Sequence, residues 1–221
     1  NQLKEFLGEA KKKNLKITIL GAGSNTLFRD KGIKGAVIKL GHNFSFVKVV
    51  DREVLEVGAA TLDRKVSNFA KDNNLANFEF LSCIPGSIGG AIIMNSGCYD
   101  NEISKVFKSL TAIDTNNLKE IEIKKDDIKF LYRGTNLPDD LIIISAKFKG
   151  KISNKKEIEK KQTSFIKRKK KTQPSQIKTC GSTFKNISED EKAWMLIKKA
   201  GCEHFKEGDA IISQKHCNFF I

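Results

Sequence analysis

The 221-residue sequence predicts an α+β fold, in which helices and paired strands alternate along most of the chain. Apolar side chains recur at helical spacing in residues 3–10 and again in residues 62–70. By contrast, residues 106–123 alternate between apolar and polar side chains in two runs joined by a polar turn, which is typical of a hairpin. Loops rich in small residues, at 21–25 and 81–99, separate these elements.

A change of composition divides the chain into two domains. Nine of the seventeen residues from 155 to 171 are Lys or Arg. We assign residues 1–150 to one domain, with sub-domains of about 1–40 and 41–150, and residues 151–221 to a smaller α+β domain. Charge runs usually form the solvated face of a helix, and nucleic-acid binding is the alternative. Only one aromatic residue lies within the run, which weakens that alternative.

The chain carries a net charge of +14, from 40 Lys and Arg against 26 Asp and Glu. Such a surplus favours an anionic partner, which could be nucleic acid, a membrane surface or a phosphorylated small molecule. Lysine is spread along the whole chain, however, so a generally lysine-rich composition explains the charge equally well.

The five cysteines predict a protein of a reducing compartment. Their number is odd and no two of them form a CxxC pair, which argues against a disulfide framework and against a zinc site. No apolar run reaches the roughly 18 residues that a membrane span needs. The first residues have the pattern of an amphipathic helix rather than a signal peptide. We therefore expect a cytoplasmic protein without a metal site.

The first forty residues predict a helix, a strand, a loop and a second strand. Residues 17–20 form a short apolar strand, the loop follows directly, and Leu27 and Phe28 are expected to return to the core. Residues 36–40 form the next strand. The helix ends near Asn14 and its apolar face consists of Leu3, Phe6, Leu7 and Ala10.

The first loop reads Gly-Ala-Gly-Ser-Asn at residues 21–25. It is not a dinucleotide-binding fingerprint, because the third glycine of GxGxxG would fall at Thr26. It also lacks the Gly-Lys-Ser/Thr ending of a phosphate-binding P-loop. On its own the loop is a weak indication of phosphate binding, and an ordinary turn is the alternative.

The middle of the first domain predicts a hairpin followed by a helix. Residues 44–50 and 54–57 are apolar runs that flank Asp51-Arg52-Glu53. The helix ends near Asn73-Asn74. Its apolar face consists of Leu62, Val66, Phe69 and Ala70.

The second loop, at residues 81–99, is the best candidate for a ligand site. It contains four glycines and the turn-forming dipeptide Pro85-Gly86. Glycine allows close approach of the backbone to a ligand, and a run of free N–H groups can hold a pyrophosphate. A tight turn between two core elements is the alternative interpretation.

The remaining elements are mostly strands. Residues 106–114 and 118–123 form a hairpin, residues 126–130 predict a short helix that begins with acidic residues, and residues 141–148 form a strongly apolar strand. A last helix ends at Gly201 and carries the apolar residues Trp194, Leu196, Ile197 and Ala200.

The second loop resembles a known family. IPGSIGGAIIMNSGCY is similar to the second flavin-contacting segment of the UDP-N-acetylenolpyruvoylglucosamine reductases, FAD enzymes of peptidoglycan synthesis. GAGSN is similar to the GGGSN loop that holds the flavin pyrophosphate in this family, with Ala22 and Thr26 as departures, and Cys83 replaces the usual glycine. The resemblance implies FAD contacts from Gly21, Ala22, Gly23, Ser24, Asn25, Pro85, Gly86, Ser87, Gly89 and Gly90.

The block from Gln173 to Asn186 resembles the family's QP…GSxFKNP block, with Ile187 in place of proline. This resemblance implies that Ser182 is the proton donor and that Asn186 contacts the substrate. A basic residue shortly before this block binds the UDP phosphates in the family, and Lys170 is the best match. Without the resemblance, a serine in such a loop would be a turn residue.

Two more residues receive roles from the resemblance. Arg133, within Tyr-Arg-Gly, matches the arginine that polarises the substrate carboxylate, although a surface ion pair is the commoner fate of a single arginine. His216 matches a histidine that faces the substrate site, although most single histidines are structural. Lys185 and Arg133 are the candidate cations for stabilising the alkoxide of Ser182.

The resemblance extends over nearly the whole sequence and implies a complete reaction. NADPH reduces the flavin and leaves, and UDP-N-acetylglucosamine enolpyruvate then takes a hydride from flavin N5 at its vinyl carbon. Ser182 protonates the adjacent carbon, which gives UDP-N-acetylmuramate for cell wall biogenesis, and so for cell shape and cell division. The family's catalytic glutamate, which lies downstream, has no counterpart in these 221 residues, so we expect truncation at both ends.

The implied fold is the FAD-binding fold of the vanillyl-alcohol-oxidase and MurB type, followed by a smaller substrate-binding domain. The long tyrosine loop of one subclass is absent, so the resemblance is to the shorter, second type. The expected partner is a nucleotide-sugar, with neither nucleic acid nor membrane, and a monomer is the default expectation for the oligomeric state. The alternatives are another FAD oxidoreductase of this fold, a basic RNA-binding protein and an inactive fragment.

Overall fold

A computed structural model describes residues 2–188 and 190–221 of the chain. Short 3-10 helices lie at His42–Phe44, Glu79–Cys83 and Lys125–Asp127. The α-helices are α1 (Gln2–Lys12), α2 (Asp63–Asp72), α3 (Ile88–Ile93), α4 (Ile103–Val106), α5 (Lys155–Thr172) and α6 (Ala193–Lys199). The strands are β1 (Ile17–Ile19), β2 (Ala36–Ile38), β3 (Val47–Asp51), β4 (Val54–Gly58), β5 (Leu75–Ala76), β6 (Gly97–Cys98), β7 (Asn101–Glu102), β8 (Phe107–Asp114), β9 (Glu120–Lys124), β10 (Phe130–Leu131), β11 (Gly134–Thr135), β12 (Leu141–Lys149), β13 (Lys151–Ile152), β14 (Lys206–Glu207) and β15 (Ala210–Ile211).

A five-stranded antiparallel sheet in the order β3-β4-β12-β8-β9 organises the first part of the chain. Both predicted hairpins lie in it, as β3-β4 and β8-β9, so these predictions are confirmed. The apolar strand β12 lies at the centre, where both of its faces are covered, and this explains its nearly continuous run of apolar residues.

The two faces of the sheet pack against different elements. The larger cluster lies between the sheet and α2, α3 and the 3-10 helix at Glu79–Cys83, and it includes Leu55, Val66, Phe80, Ile88, Ile92 and Leu110. A smaller cluster forms around Leu7 of α1 together with Ile113 and Ile142 of the sheet. Helix α1 packs through Leu7 and Ala10, which are buried as its spacing predicts, whereas Phe6 of the same predicted face is 43% exposed.

The chain forms two compact units. The first consists of Asn1–Gly23 and Phe28–Phe165, and the second of Ser24–Leu27 and Ile166–Ile221. The second unit contains α6 and the β14-β15 hairpin, and its C-terminal residues pair with the segment around Ser182.

Three other local predictions are wrong. Leu27 and Phe28 do not return to the core, because they are 83% and 46% exposed in a loop that rejoins the strands only at β2. Leu62 is 55% exposed, since it precedes α2 instead of lying on its buried face. In place of the helix predicted at 126–130, the structure has a single 3-10 turn at Lys125–Asp127, and Phe130 already belongs to β10.

Candidate flavin and substrate site

The first glycine loop, Gly21–Asn25, follows β1 directly. Strand β1 pairs in parallel with β2, and the Leu20 N–H continues this pairing by donating to the Ile38 carbonyl at 2.9 Å. Gly23 has a φ of +80°, which only glycine adopts readily, and a Cβ at this position would meet no atom within 4 Å. The backbone of the loop is therefore open to a ligand at Gly23.

The second glycine loop, Pro85–Gly90, is held against the segment between β4 and α2. The Asp63 N–H donates to the Gly86 carbonyl at 3.0 Å. In return, the N–H groups of Ile88 and Gly89 donate to the carbonyls of Thr61 and Ala59, each at 2.9 Å. These bonds give the loop a fixed path into α3.

The two loops meet at Gly21 and Ser87. A Cβ at Gly21 would lie 2.7 Å from Ser87 Oγ, which is closer than real side chains approach. Ser87 Oγ is buried and has no hydrogen-bond partner among the described residues. A buried hydroxyl without a partner usually awaits a water or a ligand.

These loops fit FAD. The Ser87 hydroxyl lacks a partner at the junction, and the N–H groups of Ser87 and Gly90 donate no hydrogen bond within the described residues. A Cβ at Gly90 would have no neighbour closer than 4.0 Å, so this glycine also faces open space. Free N–H groups and small residues at a loop junction are what a pyrophosphate-bearing cofactor requires.

Asp63, the first residue of α2, was not among the residues selected from the sequence. Its side chain is fully buried, and neither carboxyl oxygen forms a hydrogen bond with the described residues. Burial raises the pKa of Asp63 to about 8, and the neighbouring Gly86 N–H only partly offsets this. In the sequence, Asp63 is visible only as an acidic residue at the start of a helix. Such residues are usually solvated and stabilise the helix through its dipole, so this position does not indicate a buried carboxyl group.

Arg133 lies in the turn between β10 and β11 and has a φ of +59°. This left-handed conformation is uncommon for arginine, and such conformations occur frequently at functional sites. The guanidinium donates to the Gly97 carbonyl at 3.3 Å and lies 5.1 Å from the ring centre of Tyr132. Arg133 is therefore brought to the end of the second glycine-rich segment.

Asn95 connects that segment to the same turn. It is buried, with a φ of +39°, and its amide nitrogen donates to the Leu131 carbonyl at 3.1 Å. Its amide oxygen accepts from the Ser104 N–H at 3.1 Å. The Met-Asn-Ser-Gly stretch thus has a structural asparagine that fixes the position of the arginine turn.

In the second unit, Ser182 lies on an exposed segment that pairs with the C-terminal residues. Ser182 forms a β-bridge with Phe219, and the Thr183 N–H donates to the Asn218 carbonyl at 2.9 Å. The buried Asn218 side chain accepts from the Phe184 N–H and donates to the Phe184 carbonyl, both at 2.9 Å. Asn218 was missed by sequence reasoning, because buried polar pairs leave no periodic signal.

Three predicted substrate residues also lie in the second unit. Asn186 Oδ1 accepts from the Ala193 N–H at 3.0 Å, at the start of α6. The Lys170 carbonyl accepts from Lys215 Nζ at 2.6 Å. The ring centre of His216 lies 4.9 Å from that of Phe219, and its Nδ1 accepts a hydrogen bond from the Asn218 N–H. Burial lowers the pKa of His216. His216 is therefore a neutral imidazole at neutral pH.

The beginning of the second unit carries part of the first loop. The segment Ser24–Leu27 belongs to this unit, and the Cys180 thiol donates to the Thr26 carbonyl at 3.2 Å. The block containing Ser182 is thus in direct contact with the residue that follows the Gly-Ala-Gly-Ser-Asn sequence.

Comparison with known proteins identifies the family. Residues 1–117 match the family described as FAD binding domain, and residues 173–221 match the C-terminal domain of UDP-N-acetylenolpyruvoylglucosamine reductase. The reductase of Pelagibacter ubique is 49% identical over 208 residues, which are 93% of this chain and 68% of that protein. The chain belongs to the UDP-N-acetylenolpyruvoylglucosamine reductase family. The reductase of Rickettsia bellii is 43% identical over 99% of this chain and 72% of its own length.

Solved structures agree with this family. The reductase of Thermus caldophilus has a TM-score of 0.85 and 30% identity, over 99% of this chain and 78% of that one. The 6-hydroxy-D-nicotine oxidase of Arthrobacter nicotinovorans has a TM-score of 0.52 at 13% identity, over 66% of this chain and 33% of that one, so it shares the fold alone. The predicted α+β FAD-binding fold is confirmed.

Across residues 2–188 and 190–221, none of the helices combines the length and apolar character needed to cross a bilayer. In the same residues, His, Cys, Asp and Glu form no group of three or more that could hold a metal ion.

Proposed function

We propose that this reductase-family chain reduces UDP-N-acetylglucosamine enolpyruvate to UDP-N-acetylmuramate, with FAD as cofactor and NADPH as reductant. This activity provides a precursor of peptidoglycan. The observation that carries the conclusion is the sequence relation, 49% identity to a curated reductase together with matches to both of the family's domains. The junction of the two glycine loops at Gly21 and Ser87 supports it independently, since it fits the cofactor.

We propose that residues 1–150 hold FAD, with sub-domains of about 1–40 and 41–150, and that residues 151–221 bind the substrate. The chemistry that FAD supplies when bound is hydride transfer from NADPH to the enolpyruvyl double bond. Free N–H groups at the two loops and the open glycines support cofactor contacts there. The proposed contacts are Gly21, Ala22, Gly23, Ser24, Asn25, Pro85, Gly86, Ser87, Gly89 and Gly90.

Ser182 is the proposed proton donor to the substrate carbon next to the one that accepts hydride. A serine hydroxyl is a poor acid, so its alkoxide must be stabilised by nearby positive charge or by a proton relay. The exposed position of Ser182 on a paired, extended segment supports this role, because the hydroxyl is accessible while the backbone is fixed. Lys185 and Arg133 are the proposed cations.

Arg133 is the proposed partner of the substrate carboxylate. Its planar guanidinium binds a carboxylate through two parallel hydrogen bonds. The contact with the Gly97 carbonyl and the left-handed backbone support a side chain that is positioned before the substrate arrives.

Lys170, Asn186 and His216 are the proposed contacts to the UDP part of the substrate. Lysine attracts the diphosphate as a point charge, and the surplus of positive charge along the chain raises the association rate of anionic substrates. His216 contributes as a neutral hydrogen-bonding group, because burial lowers its pKa. We further propose a monomeric, cytoplasmic enzyme that contributes to cell shape and cell division.

The experiment that tests this proposal measures NADPH oxidation by the purified protein, with and without UDP-N-acetylglucosamine enolpyruvate. We expect oxidation to depend on this substrate and to yield one UDP-N-acetylmuramate for each NADPH. An equal rate without the substrate, or a colourless protein that takes up no flavin, would overturn the proposal.

A further inference from the structure

Asp63 is a buried acidic residue that no step of the proposed reaction uses. It begins α2 and lies directly beneath the second glycine loop, to which its backbone N–H is bonded through the Gly86 carbonyl at 3.0 Å. Its side chain lies against the same residue, since a Cβ at Gly86 would come within 2.6 Å of Asp63 Oδ2. Asp63 therefore contacts the loop through both its backbone and its carboxyl group.

The carboxyl group is isolated from polar partners within the part of the chain that the structure describes. It has no exposed surface, and neither oxygen has a hydrogen-bond partner among the described residues. A buried polar group in this condition is costly and calls for an explanation. The Gly86 N–H, which faces the carboxyl group without reaching hydrogen-bond geometry, is its nearest potential partner.

The surroundings of Asp63 favour a neutral carboxyl group. The packed segments on either side, residues 58–62 and 85–93, contain no ionisable side chain, and Arg64 and Lys65 on its own helix are exposed. The nearby 3-10 helix carries Glu79, which is paired with Lys161 at 3.6 Å. Because no cation among the described residues offsets its burial, the pKa of Asp63 lies at about 8, and the group carries a proton at neutral pH.

We propose that Asp63 is a positioning residue for FAD, which supports the loop at Pro85–Gly90 through Gly86 and so fixes the loop's free N–H groups for the cofactor. This inference rests on the proposed function, which makes FAD the ligand of the loop. A protonated carboxyl group fills the space beneath Gly86 and packs against the loop without introducing charge. An ionised Asp63 would instead place an unpaired negative charge beneath the segment that binds an anionic cofactor.

The test compares FAD binding by the wild-type protein, Asp63→Asn, Asp63→Ala and the control Asp72→Asn. Asp72 lies at the exposed end of the same helix and is paired with Lys155 at 2.8 Å. Flavin fluorescence quenching gives the dissociation constant from about pH 6.5 to about pH 9, and far-ultraviolet circular dichroism reports folding. Asparagine keeps the shape and hydrogen-bonding groups of a neutral carboxyl group but cannot ionise.

We expect Asp63→Ala to fold and to bind FAD about ten- to a hundredfold more weakly at pH 7, since the loop loses its support. Asp63→Asn should bind within about threefold of wild type at pH 7. Wild type and Asp72→Asn should lose affinity as the pH rises through about 8, whereas Asp63→Asn should not, because its side chain cannot ionise.

Wild-type affinity and an unchanged pH profile in Asp63→Ala would overturn the inference while leaving the proposed function intact. A pH profile of FAD affinity in Asp63→Asn that matches wild type would also overturn the inference. This second comparison tests the inference even if Asp63→Ala does not fold. A wild-type protein that binds no FAD at any pH would overturn the proposed function itself.

Discussion

The glycines of the two loops have two distinct reasons for being glycine. Gly86 lacks a side chain because Asp63 occupies the space, and a Cβ at Gly97 would lie 2.3 Å from the Asn101 carbonyl. Gly23 and Gly90 meet no such obstacle, since the space around their missing side chains is open. Gly86 and Gly97 therefore allow close packing within the protein, whereas Gly23 and Gly90 leave room for a ligand.

The proposed role of Ser182 predicts an effect on one half-reaction only. Ser182→Ala should leave flavin reduction by NADPH unchanged and slow flavin oxidation by the enolpyruvyl substrate by about 10²–10⁴-fold, since proton donation is lost. Anaerobic stopped-flow absorbance of the flavin measures the two steps separately. Thr183→Ala, at the exposed neighbouring position, is the control. Equal losses in both half-reactions would contradict the donor role.

The pKa of Asp63 predicts how the stability of the protein depends on pH. The unfolded chain releases this proton near its ordinary value of 3.8, whereas the folded protein keeps it to about 8. Between these values the folded state binds more protons, so Asp63 lowers the free energy of unfolding by up to about 1.4 kcal/mol for each pH unit of increase. Asp63→Asn should therefore gain stability over wild type as the pH rises from about 5 to about 8.

Urea unfolding at several pH values measures this difference, with the exposed Asp30→Asn as the control. A constant difference between Asp63→Asn and wild type across that range would show that Asp63 titrates at the same pH in both states.

Among the elements of the fold, the second glycine loop pairs with the segment before α2 in the manner of a strand. Three backbone hydrogen bonds hold residues 86–89 to residues 59–63, and α3 begins directly afterwards.

Helix α5 is anchored to α2 by a buried side chain. Gln162 of α5 donates to the carbonyl and hydroxyl oxygens of Ser67 on α2, at 3.0 and 2.7 Å. The highly charged helix is therefore held by this buried polar contact, by Ile158 and by ion pairs such as Lys155–Asp72, while most of its side chains are exposed.

The difference between the loop glycines predicts opposite outcomes for two alanine variants. Gly86→Ala should lower the free energy of unfolding by about 1–3 kcal/mol, because the added methyl group overlaps the buried carboxyl group of Asp63. Gly90→Ala should fold with wild-type stability and bind FAD more weakly, since the methyl group enters open space. Thermal unfolding without cofactor and flavin titration distinguish the two. Equal stability of the two variants would contradict this distinction.

At the scale of the whole molecule, the sequence predicted the α+β class, the two sheet hairpins and helices α1, α2 and α6, because these depend on local periodicity. Family resemblance supplied the activity, and the comparisons confirm it at 49% identity. Spacing alone left both glycine loops ambiguous between turns and ligand sites. The structure removes part of that ambiguity, since Gly21 and Ser87, far apart in sequence, lie side by side.

The polar residues that position the site could not be predicted from the sequence. Asp63, Asn95 and Asn218 are all buried, yet each breaks the apolar pattern on which such predictions rest. Conversely, the apolar Leu62 was expected to be buried but is exposed. It pairs with Ser87 of the second glycine loop, and the next residue, Asp63, is buried instead. Long-range contacts of this kind become visible only once the chain is folded.

We propose that the two glycine loops jointly bind FAD at the place where Gly21 meets Ser87. A crystal structure of the protein with bound FAD tests this proposal. We predict that the cofactor contacts residues of both Gly21–Asn25 and Pro85–Gly90, and that the Ser87 hydroxyl gains a hydrogen-bond partner. Cofactor bound to one loop only, or elsewhere on the protein, would show that the two loops do not form a joint FAD site.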